Sequence, residues 1–278
     1  MINFTKLIVS AALLTSFTLE VKASDYLGNS IPELGKSLHT FGKIKETELP
    51  SKLSILVWNL YKGQSTNFQK EYKRLSANKD LILAQEMYLN TQELAKLNNQ
   101  SEYQYVTATS FIKTASQTHT GTYTAAKAQR VKAGMIRSEA TEPVVATPKT
   151  SVLTTYKIRG TNKRLLVVNT HAVNFVSDAA YISEMNRIAN TITLFKGTVI
   201  WAGDFNSWNM NRFQYFKNLI STLNLKSTAL IPDERLTFNG FILDHFYSTN
   251  DVYIASALSL KSDNGSDHSP MEFEVEIL

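Results

Sequence analysis

Six apolar runs of the sequence are bordered by residue types that can bind a cation or move a proton. The bordering residues are Asn59, Gln85-Glu86, His171, Asp204-Phe205-Asn206, Asp244-His245 and Asp267-His268. In layered folds, the loops at strand ends hold most of the functional side chains. We therefore expect these six positions to meet at one edge of the sheets, in a single cleft.

Such a cleft would be rich in carboxylates, those of Glu86, Asp204, Asp244 and Asp267. Carboxylates that lie close together raise one another's pKa, which disfavours their ionised forms. A bound divalent cation removes this conflict, and a phosphate group beside the cation adds further balance. Oxygen ligands suit Mg²⁺ or Mn²⁺ better than Zn²⁺. The chain has no cysteine, which excludes disulfides, thiolate nucleophiles and thiolate zinc sites.

Each of these residues has a simpler structural interpretation when it is considered alone. A lone His171 is more often a buried histidine whose hydrogen bonds are satisfied. Asn59 and the stretch 204–206 are also typical of turns that end strands, and Asp244 could cap a strand. His245 is expected to be structural. The ordered set, and not any single member, indicates a catalytic site.

Short apolar runs predict buried strands along the chain. They are residues 53–58, 80–84, 165–168, 198–201, 241–243, 252–260 and 271–277. One apolar stripe at helical spacing is formed by Tyr181, Met185, Ile188, Ile192 and Phe195. Shorter helices are predicted at 68–75, 91–97 and 211–223. Strands interspersed with helices indicate an α/β domain whose sheets are covered on their outer faces.

The composition is that of an ordinary globular protein and not of a disordered one. The 278 residues are 43% hydrophobic and 19% charged, which favours one large domain. The formal net charge of +5 favours a polyanionic partner. We expect a monomer.

The first residues have the pattern of a secretory signal peptide. Lys6 supplies a positive charge, residues 7–17 are largely apolar, and Val21-Lys22-Ala23 resembles a cleavage site. We expect a signal peptide at 1–23, with an uncleaved anchor as the alternative, and a protein that is periplasmic or secreted. Residues 24–50 are predicted to be a linker or an N-terminal arm. No later stretch is apolar enough for a transmembrane helix.

These motifs occur in the order found in the endonuclease/exonuclease/phosphatase superfamily, which resembles deoxyribonuclease I. Gly203-Asp204-Phe205-Asn206 and Ser266-Asp267-His268-Ser269-Pro270 are the most specific of them. The resemblance covers residues 51–278 as a catalytic domain. The stretch 171–175 is also similar to an uncharacterised bacterial subgroup, a likeness that names no substrate. The resemblance implies a four-layer sandwich of two packed mixed β-sheets flanked by helices.

The resemblance also implies a cation site. Glu86 would be the principal ligand of a Mg²⁺ or Mn²⁺ ion, with Asn59 beside it contacting metal or phosphate. Asp267 resembles a second carboxylate near the metal. Lys62, three residues after Asn59, is a candidate contact for the substrate phosphate, and Lys149 is another.

Catalytic roles follow from the same resemblance. Asp204 would orient or deprotonate the attacking water, and Asn206 would position the water and a phosphate oxygen. His268, held in its tautomer by Asp244, would stabilise the transition state or assist the leaving group. His171 would hydrogen-bond the scissile phosphate.

The motif set specifies the reaction better than the substrate. Three features favour a phosphodiesterase that acts on DNA or RNA: the net positive charge, Lys62 and the basic segment 127–137. The alternative is a phosphatase or a sphingomyelinase-like lipid phosphodiesterase, which should have an exposed aromatic hairpin near the cleft. The sequence shows no concentrated aromatic loop, so we predict a nuclease. A catalytically inactive binding protein is disfavoured because every expected position is filled.

Overall fold

All but one of the apolar runs that predict buried strands lie in two mixed β-sheets that pack face to face; the run 241–243 instead forms the half-buried strand of a separate hairpin. The computed structural model describes residues 27–99 and 101–278. The predicted signal peptide therefore lies outside the described residues. The main apolar core lies between the sheets and includes Ile55 from one sheet and Val167 from the other.

The first sheet has eight strands, which are numbered in chain order throughout. In spatial order they are β1 (Asn29–Ser30), β6 (Gln104–Lys113), β7 (Thr118–Ala126), β5 (Leu81–Leu89), β4 (Lys52–Asn59), β17 (Met271–Ile277) and β16 (Val252–Ser259), with β2 (Leu38–Phe41) also on β6. β4 and β5 run parallel. This pairing brings Asn59 and Glu86 to the same edge of the sheet.

The second sheet has seven strands. In spatial order they are β12 (Lys226–Ser227), β15 (Asp244–Ser248), β11 (Thr198–Asp204), β10 (Arg164–His171), β9 (Thr150–Ile158) and β3 (Glu48–Leu49), with β8 (Lys132–Arg137) also on β9. β10 and β11 run parallel, so His171 and Asp204 end neighbouring strands. A separate hairpin consists of β13 (Thr237–Phe238) and β14 (Phe241–Ile242).

Helices cover the outer faces of the sheets. They are α1 (Phe68–Ser76), α2 (Thr91–Asn98), α3 (Asp178–Leu194) and α4 (Met210–Thr222), and short 3₁₀ turns occur at Leu34–Lys36 and Tyr61–Gly63. Met185 of α3 and Phe216 of α4 pack with Trp201 of the second sheet, and Leu75 of α1 packs with Trp58 of the first. The predicted four-layer sandwich is confirmed. Within the described part of the chain, no helix has both the length and the apolar character needed to cross a membrane.

Residues 27–50 form an N-terminal arm that pairs with both sheets, and they are not an unpaired linker. β1 and β2 pair with β6 at the edge of the first sheet, and β3 pairs with β9 in the second. The arm therefore covers strand edges that would otherwise expose unpaired backbone groups.

A buried polar bridge joins the two sheets beneath the strand ends. Gln85 Nε2 donates to Asn169 Oδ1 at 2.6 Å, and Asn169 Nδ2 donates to the carbonyl of Ala84 at 3.2 Å. Both side chains are fully buried. Because a buried polar group without a partner is costly, this bridge favours one alignment of the sheets. Gln85 precedes Glu86, and Asn169 lies two residues before His171, so the alignment sets how these two residues face each other.

Candidate active site

Three of the predicted site residues lie side by side at the edge of the second sheet. His171 pairs with Asp204 in the register of β10 and β11, and Asp204 pairs with Asp244 across β11 and β15. All three side chains are buried. Nε2 of His171 lies 3.6 Å from Oδ2 of Asp204. The strand register thus assembles an imidazole and two carboxylates in one row.

The backbone around Asp204 explains the Gly-Asp-Phe-Asn motif. At Gly203 φ is +134°, and a Cβ there would lie 2.0 Å from the carbonyl oxygen of Thr170, so only glycine lets β11 lie this close to β10. Asn206 has a φ of +48°, a left-handed conformation that asparagine tolerates well. The backbone N–H of Asn206 donates to Oδ1 of Asp204 at 3.0 Å, and its side chain donates to the carbonyl of Ala172 at 2.9 Å. The turn that follows Asp204 therefore fixes its carboxylate through the backbone N–H of Asn206.

Glu86 reaches the same edge from the first sheet through an irregularity in β5. The register of β5 against β7 shifts between Ala84 and Met87, and Glu86 has a φ of +54°. This geometry is a β-bulge, a feature that re-aims side chains and is common beside active sites. Here it leaves Gln85 in the inter-sheet bridge while Oε1 of Glu86 lies 3.9 Å from Nε2 of His171.

Two lysines contact the Glu86 carboxylate. Lys62 Nζ donates to Oε2, and Lys149 Nζ lies 3.7 Å from Oε1 and 3.2 Å from Glu142 Oε2. Burial raises the pKa of Glu86, but the charges of Lys149 and Lys62 outweigh burial and bring this pKa down to about 2. Burial lowers the pKa of Lys149, but Glu142 and Glu86 outweigh it and raise this pKa above its ordinary value. Glu86 and Lys149 are therefore both ionised at neutral pH.

His268 and Asp244 form a buried pair. Nδ1 of His268 lies 2.8 Å from Oδ2 of Asp244, and Nε2 lies 3.9 Å from Oδ2 of Asp204. The carbonyl of His268 accepts a hydrogen bond from the indole of Trp58, which anchors this loop to β4. Burial lowers the pKa of His268, but the carboxylates of Asp244 and Asp204 outweigh it and raise this pKa to about 10. The imidazole is therefore a cation at neutral pH, and its Nε2–H lies on the side of Asp204.

Asp204 lies at the centre of these contacts. Its Oδ2 accepts a hydrogen bond from Nδ2 of Asn59 at 3.0 Å, which ties the two sheets together at the site. Burial raises the pKa of Asp204 to about 7, an effect that His268 opposes and Asp244 reinforces. Burial and the charge of Lys149 lower the pKa of His171 far below its ordinary value. Burial therefore favours the protonated form of Asp204, whereas His171 is neutral at neutral pH.

The structure brings all the predicted site residues except Asp267 into this one network. The Asp267 side chain is exposed, and its Oδ1 accepts a hydrogen bond from the hydroxyl of Ser266 at 3.3 Å. Its role as a metal ligand stays a prediction. His245 packs in the core, where it stacks on Tyr247 at 13° and lies 2.8 Å from the hydroxyl of Ser207. Its placement agrees with the structural role expected for it.

Most of the basic segment 127–137 lies away from the site, and only its last residue, Arg137, comes near it by pairing with Thr150 beside Lys149. The backbone N–H of Lys127 donates to the carbonyl of Asp80, which precedes β5 at the end away from the site. Arg137 donates its guanidinium to the carbonyl of Pro32 in the N-terminal arm at 2.6 Å. The cations that do reach the site, Lys62 and Lys149, come from other parts of the chain.

Two members of the network carried no signal in the sequence. Glu142, in the loop between β8 and β9, pairs with Lys149 and accepts a hydrogen bond from the backbone N–H of Asn174 at 3.1 Å. Asn169 supports the site from within the core. No apolar run ends at Glu142, and Asn169 interrupts a buried strand, so spacing alone points to neither. A buried amide inside an apolar run was the one clue available for Asn169.

The donor groups of the network fit a divalent cation. Asp204, Asp244 and His268 offer ligand atoms that lie within 4.8 Å of one another, although His268 could serve only in its neutral form, and Glu86 adds an ionised carboxylate. Because burial raises the pKa of Asp204, a positive charge nearby would favour its ionised form. Carboxylate and amide oxygens are the ligands that Mg²⁺ and Mn²⁺ prefer.

Comparison with known proteins agrees with this geometry. Residues 56–268 match the family model described as the Endonuclease/Exonuclease/phosphatase family. The chain belongs to this family. Members of the family are hydrolases that act on phosphoester bonds. A UPF0294 protein of Vibrio parahaemolyticus is 30% identical over 233 residues, which are 83% of this chain and 80% of that protein. The predicted membership is confirmed.

Solved structures of the family share the fold at low sequence identity. A family member from Leptotrichia buccalis has a TM-score of 0.60 at 16% identity, covering 81% of this chain and 99% of that one. The catalytic domain of human Nocturnin, solved with a bound sulfate anion, has a TM-score of 0.61 at 17% identity, covering 87% and 98%. These likenesses extend over almost the whole described domain.

Proposed function

We propose that this family member hydrolyses phosphodiester bonds with the help of a divalent cation. The observation that carries the proposal is the position of Asp204, whose Oδ2 lies 3.9 Å from a cationic His268 and 3.6 Å from a neutral His171. General acid–base chemistry needs such a pair, namely a carboxylate that titrates near the working pH and a charged donor beside it.

Glu86 and Asn59 are the residues that would hold the cation, with Asp267 as the predicted second carboxylate. A cation bound there supplies Lewis-acid polarisation of a phosphoryl oxygen, an effect worth several kcal/mol. Lys62 and Lys149 contact Glu86 and would donate hydrogen bonds to the remaining phosphate oxygens.

The remaining side chains would move protons and orient groups. Asp204 would take the proton of the attacking water, with its other oxygen fixed by the backbone of Asn206. His268 would donate from Nε2 to the leaving oxygen, while Asp244 holds Nδ1 and so fixes the ring. His171 would hydrogen-bond the phosphate as a neutral donor, which adds no further charge.

Nucleic acid and lipid phosphodiesters are the two candidate substrate classes, and different observations support each of them. The prediction of a nuclease rests on the net positive charge, on Lys62 and on the segment 127–137. Most of that segment lies away from the site, and the guanidinium of Arg137, at its near end, is bound to the N-terminal arm. A lipid phosphodiesterase should have an exposed aromatic hairpin near the cleft. The hairpin β13–β14 leads into Asp244, and its Phe238 is 44% exposed. This observation favours a lipid phosphodiester as the second candidate.

Turnover of bis(p-nitrophenyl) phosphate with Mg²⁺ or Mn²⁺ tests the reaction without assuming a natural substrate. Asp204→Asn should lower turnover about a hundredfold or more, and EDTA should abolish it. Asp263→Asn is the matched control, because Asp263 is exposed and pairs with Lys70 at 3.5 Å, away from the network. Near-normal turnover in Asp204→Asn, or turnover that survives EDTA, would refute the proposal.

Export of the protein is a separate proposal that rests on the sequence alone. Its support is the charge of Lys6, the apolar run 7–17 and the Val21-Lys22-Ala23 cleavage pattern. N-terminal sequencing of protein from the extracytoplasmic fraction should find Ser24 as the first residue. An intact Met1 in that fraction would contradict cleavage.

A further inference from the structure

An exposed aromatic surface borders the candidate active site, and we call it the aromatic rim. Its members are Phe175, Trp208, Phe213, Phe238 and Phe241. Phe175, Phe213 and Phe238 are 58%, 46% and 44% exposed, whereas Trp208 and Phe241 are half-buried between them. The ring of Phe175 lies 5.8 Å from Trp208 and 6.5 Å from Phe238, while Phe241 pairs with Phe238 across the hairpin and lies 6.0 Å from Phe213. The rings of Phe175, Trp208 and Phe238 therefore form one cluster, and the pair of Phe213 and Phe241 adjoins it through the hairpin.

The aromatic rim lies beside the site, since each of its loops leads directly from a site residue. Phe175 follows His171 by four residues, Trp208 follows Asp204 by four, and the hairpin β13–β14 reaches Asp244 through Leu243. Contacts link the aromatic rim to the site: Glu142 pairs with Lys149 at the site and accepts a hydrogen bond from the N–H of Asn174, whose side chain in turn holds Trp208. The sequence does not reveal the patch, since its aromatic residues are spread over more than sixty positions of the chain.

Hydrogen bonds hold the centre of the aromatic rim in place. Nε1 of Trp208 donates to Oδ1 of Asn174 at 2.6 Å, and the guanidinium of the buried Arg212 lies 4.7 Å from the Trp208 ring centroid. The neighbouring loop adds Val144 and Val145, which are 90% and 42% exposed. An apolar surface that is both exposed and preorganised marks a binding face.

The aromatic rim carries little unpaired charge, since the charged residues that border its loops, Glu142, Asp178 and Arg235, are each in an ion pair. The loop segments that build it, 143–147, 172–177, 205–213 and 236–243, contain one charged residue, Arg212, and its side chain is fully buried. A nucleic-acid strand that tracked across this face would need lysines and arginines for its phosphates. Aromatic rings amid neutral amides and hydroxyls suit the interfacial region of a bilayer instead.

We propose that the aromatic rim docks the protein onto a phospholipid bilayer, and that the substrate is the phosphodiester headgroup of a lipid in that bilayer. The assignment of the substrate rests on the proposed phosphodiesterase function, whereas the docking itself does not. Docking at the rim would hold the site next to the headgroups, with Lys62 and Lys149 available for the phosphate.

Trp208 is a built-in probe of the docking step. The other two tryptophans of the chain, Trp58 and Trp201, are buried to 1% and 0% exposure. Vesicles of equimolar phosphatidylcholine and phosphatidylglycerol should therefore shift the emission of Trp208 to the blue, and brominated acyl chains should quench it. Trp208→Phe should remove the shift.

A rim variant and a control variant distinguish vesicle binding by the aromatic rim from vesicle binding by any exposed apolar residue. Phe175→Ser combined with Phe238→Ser should weaken vesicle binding roughly tenfold or more, because two exposed rings no longer leave water. Leu194→Ser is the matched control, since Leu194 is 80% exposed at the end of α3 away from the site. Melting curves verify that the double variant is folded. Equal vesicle affinity in the double variant and the wild type would overturn the docking proposal.

Asp204→Asn makes failure of docking distinguishable from failure of catalysis. This variant should bind vesicles as the wild type does while it loses turnover of bis(p-nitrophenyl) phosphate. A wild-type protein that binds vesicles and cleaves the soluble diester but releases no lipid headgroup would overturn the lipid assignment. Quenching of Trp208 by single-stranded DNA, without any effect of vesicles, would overturn docking in favour of a nucleic-acid surface.

Discussion

The charge of His268 depends chiefly on the carboxylate of Asp244. Asp244 lies 2.8 Å from Nδ1 and, with Asp204, raises the pKa of His268 to about 10 against the opposing effect of burial. Asp244→Asn should lower turnover of bis(p-nitrophenyl) phosphate about a hundredfold or more, because the ring loses its charge and its fixed orientation. The pH–rate profile gives a second readout. Its alkaline limb should move to lower pH in the variant, since the pKa of His268 falls.

His245 provides the control for this pair. It neighbours Asp244 in the chain, but burial lowers its pKa to about 4, so it is neutral over the working range. His245→Gln should leave the alkaline limb where it is. An unchanged limb in Asp244→Asn, or a shifted one in His245→Gln, would mean that the acidic partner has been assigned to the wrong histidine.

Glu184 makes stability depend on pH in a predictable direction. It is buried on α3, where its Oε2 accepts a hydrogen bond from the N–H of Val173 at 3.2 Å, and burial raises its pKa to about 8. A folded-state pKa above the unfolded value of ~4.3 means that stability is fully present at acidic pH and is lost as pH rises toward 8. Glu184→Gln should remove this loss, which is on the order of a few kcal/mol. Melting temperatures at pH 5 and pH 8 should then differ less in the variant than in the wild type, and an equal difference would contradict the assignment.

Among the elements, the close approach of β10 and β11 depends on Gly203. A Cβ at this position would lie 2.0 Å from a backbone oxygen, which cannot rotate away as a side chain can. Gly203→Ala should therefore cost about 3 kcal/mol or more in unfolding free energy, measured by urea denaturation, and should also lower turnover because Asp204 follows directly. Gly134→Ala in the edge strand β8 is the control, since nothing lies within 4 Å of a Cβ there. Equal stability of the two variants would show that the strand pair has room to adjust.

The elements most visible in the sequence are those with uniform apolar runs. The runs at 53–58, 165–168, 198–201 and 271–277 lie within β4, β10, β11 and β17, and the stripe from Tyr181 to Ile192 lies on α3. β9 and the arm strands β1 to β3 gave no comparable signal. β9 is rich in threonine, whose hydroxyls conceal its burial, and the arm strands are short pieces stabilised by their partners and not by their own pattern.

Most site residues could be predicted from the sequence because they directly follow the same apolar runs. Parallel strands bring their carboxyl ends to one edge, so polar residues after apolar runs identify Asn59, Glu86, His171 and Asp204 without any coordinates. Contacts between separate loops have no such rule. The pairing of Glu142 with Lys149 and the assembly of the aromatic rim depend on loop conformations that spacing does not encode.

In the whole molecule, the site joins two sheets that otherwise meet through an apolar core. Asn59 and Glu86 come from the first sheet and Asp204 from the second, and Asn59 bonds directly to Asp204. A ligand held by groups from both sheets binds the native state and not the unfolded chain, so it stabilises the fold by mass action.

Cation binding should therefore raise the melting temperature of the whole domain. At a concentration one hundred times its dissociation constant, Mn²⁺ should add ~2.7 kcal/mol, which corresponds to roughly 5 °C or more for a chain of this size. Glu86→Gln should remove most of this increase, because it removes the ionised carboxylate predicted to be the principal ligand. Glu274→Gln is the matched control, since Glu274 is an exposed residue of β17 that bonds to Ser54. If Mn²⁺ stabilised Glu86→Gln as much as the control, the cation would bind elsewhere, and the group of Asp204, Asp244 and His268 would be the next set to test.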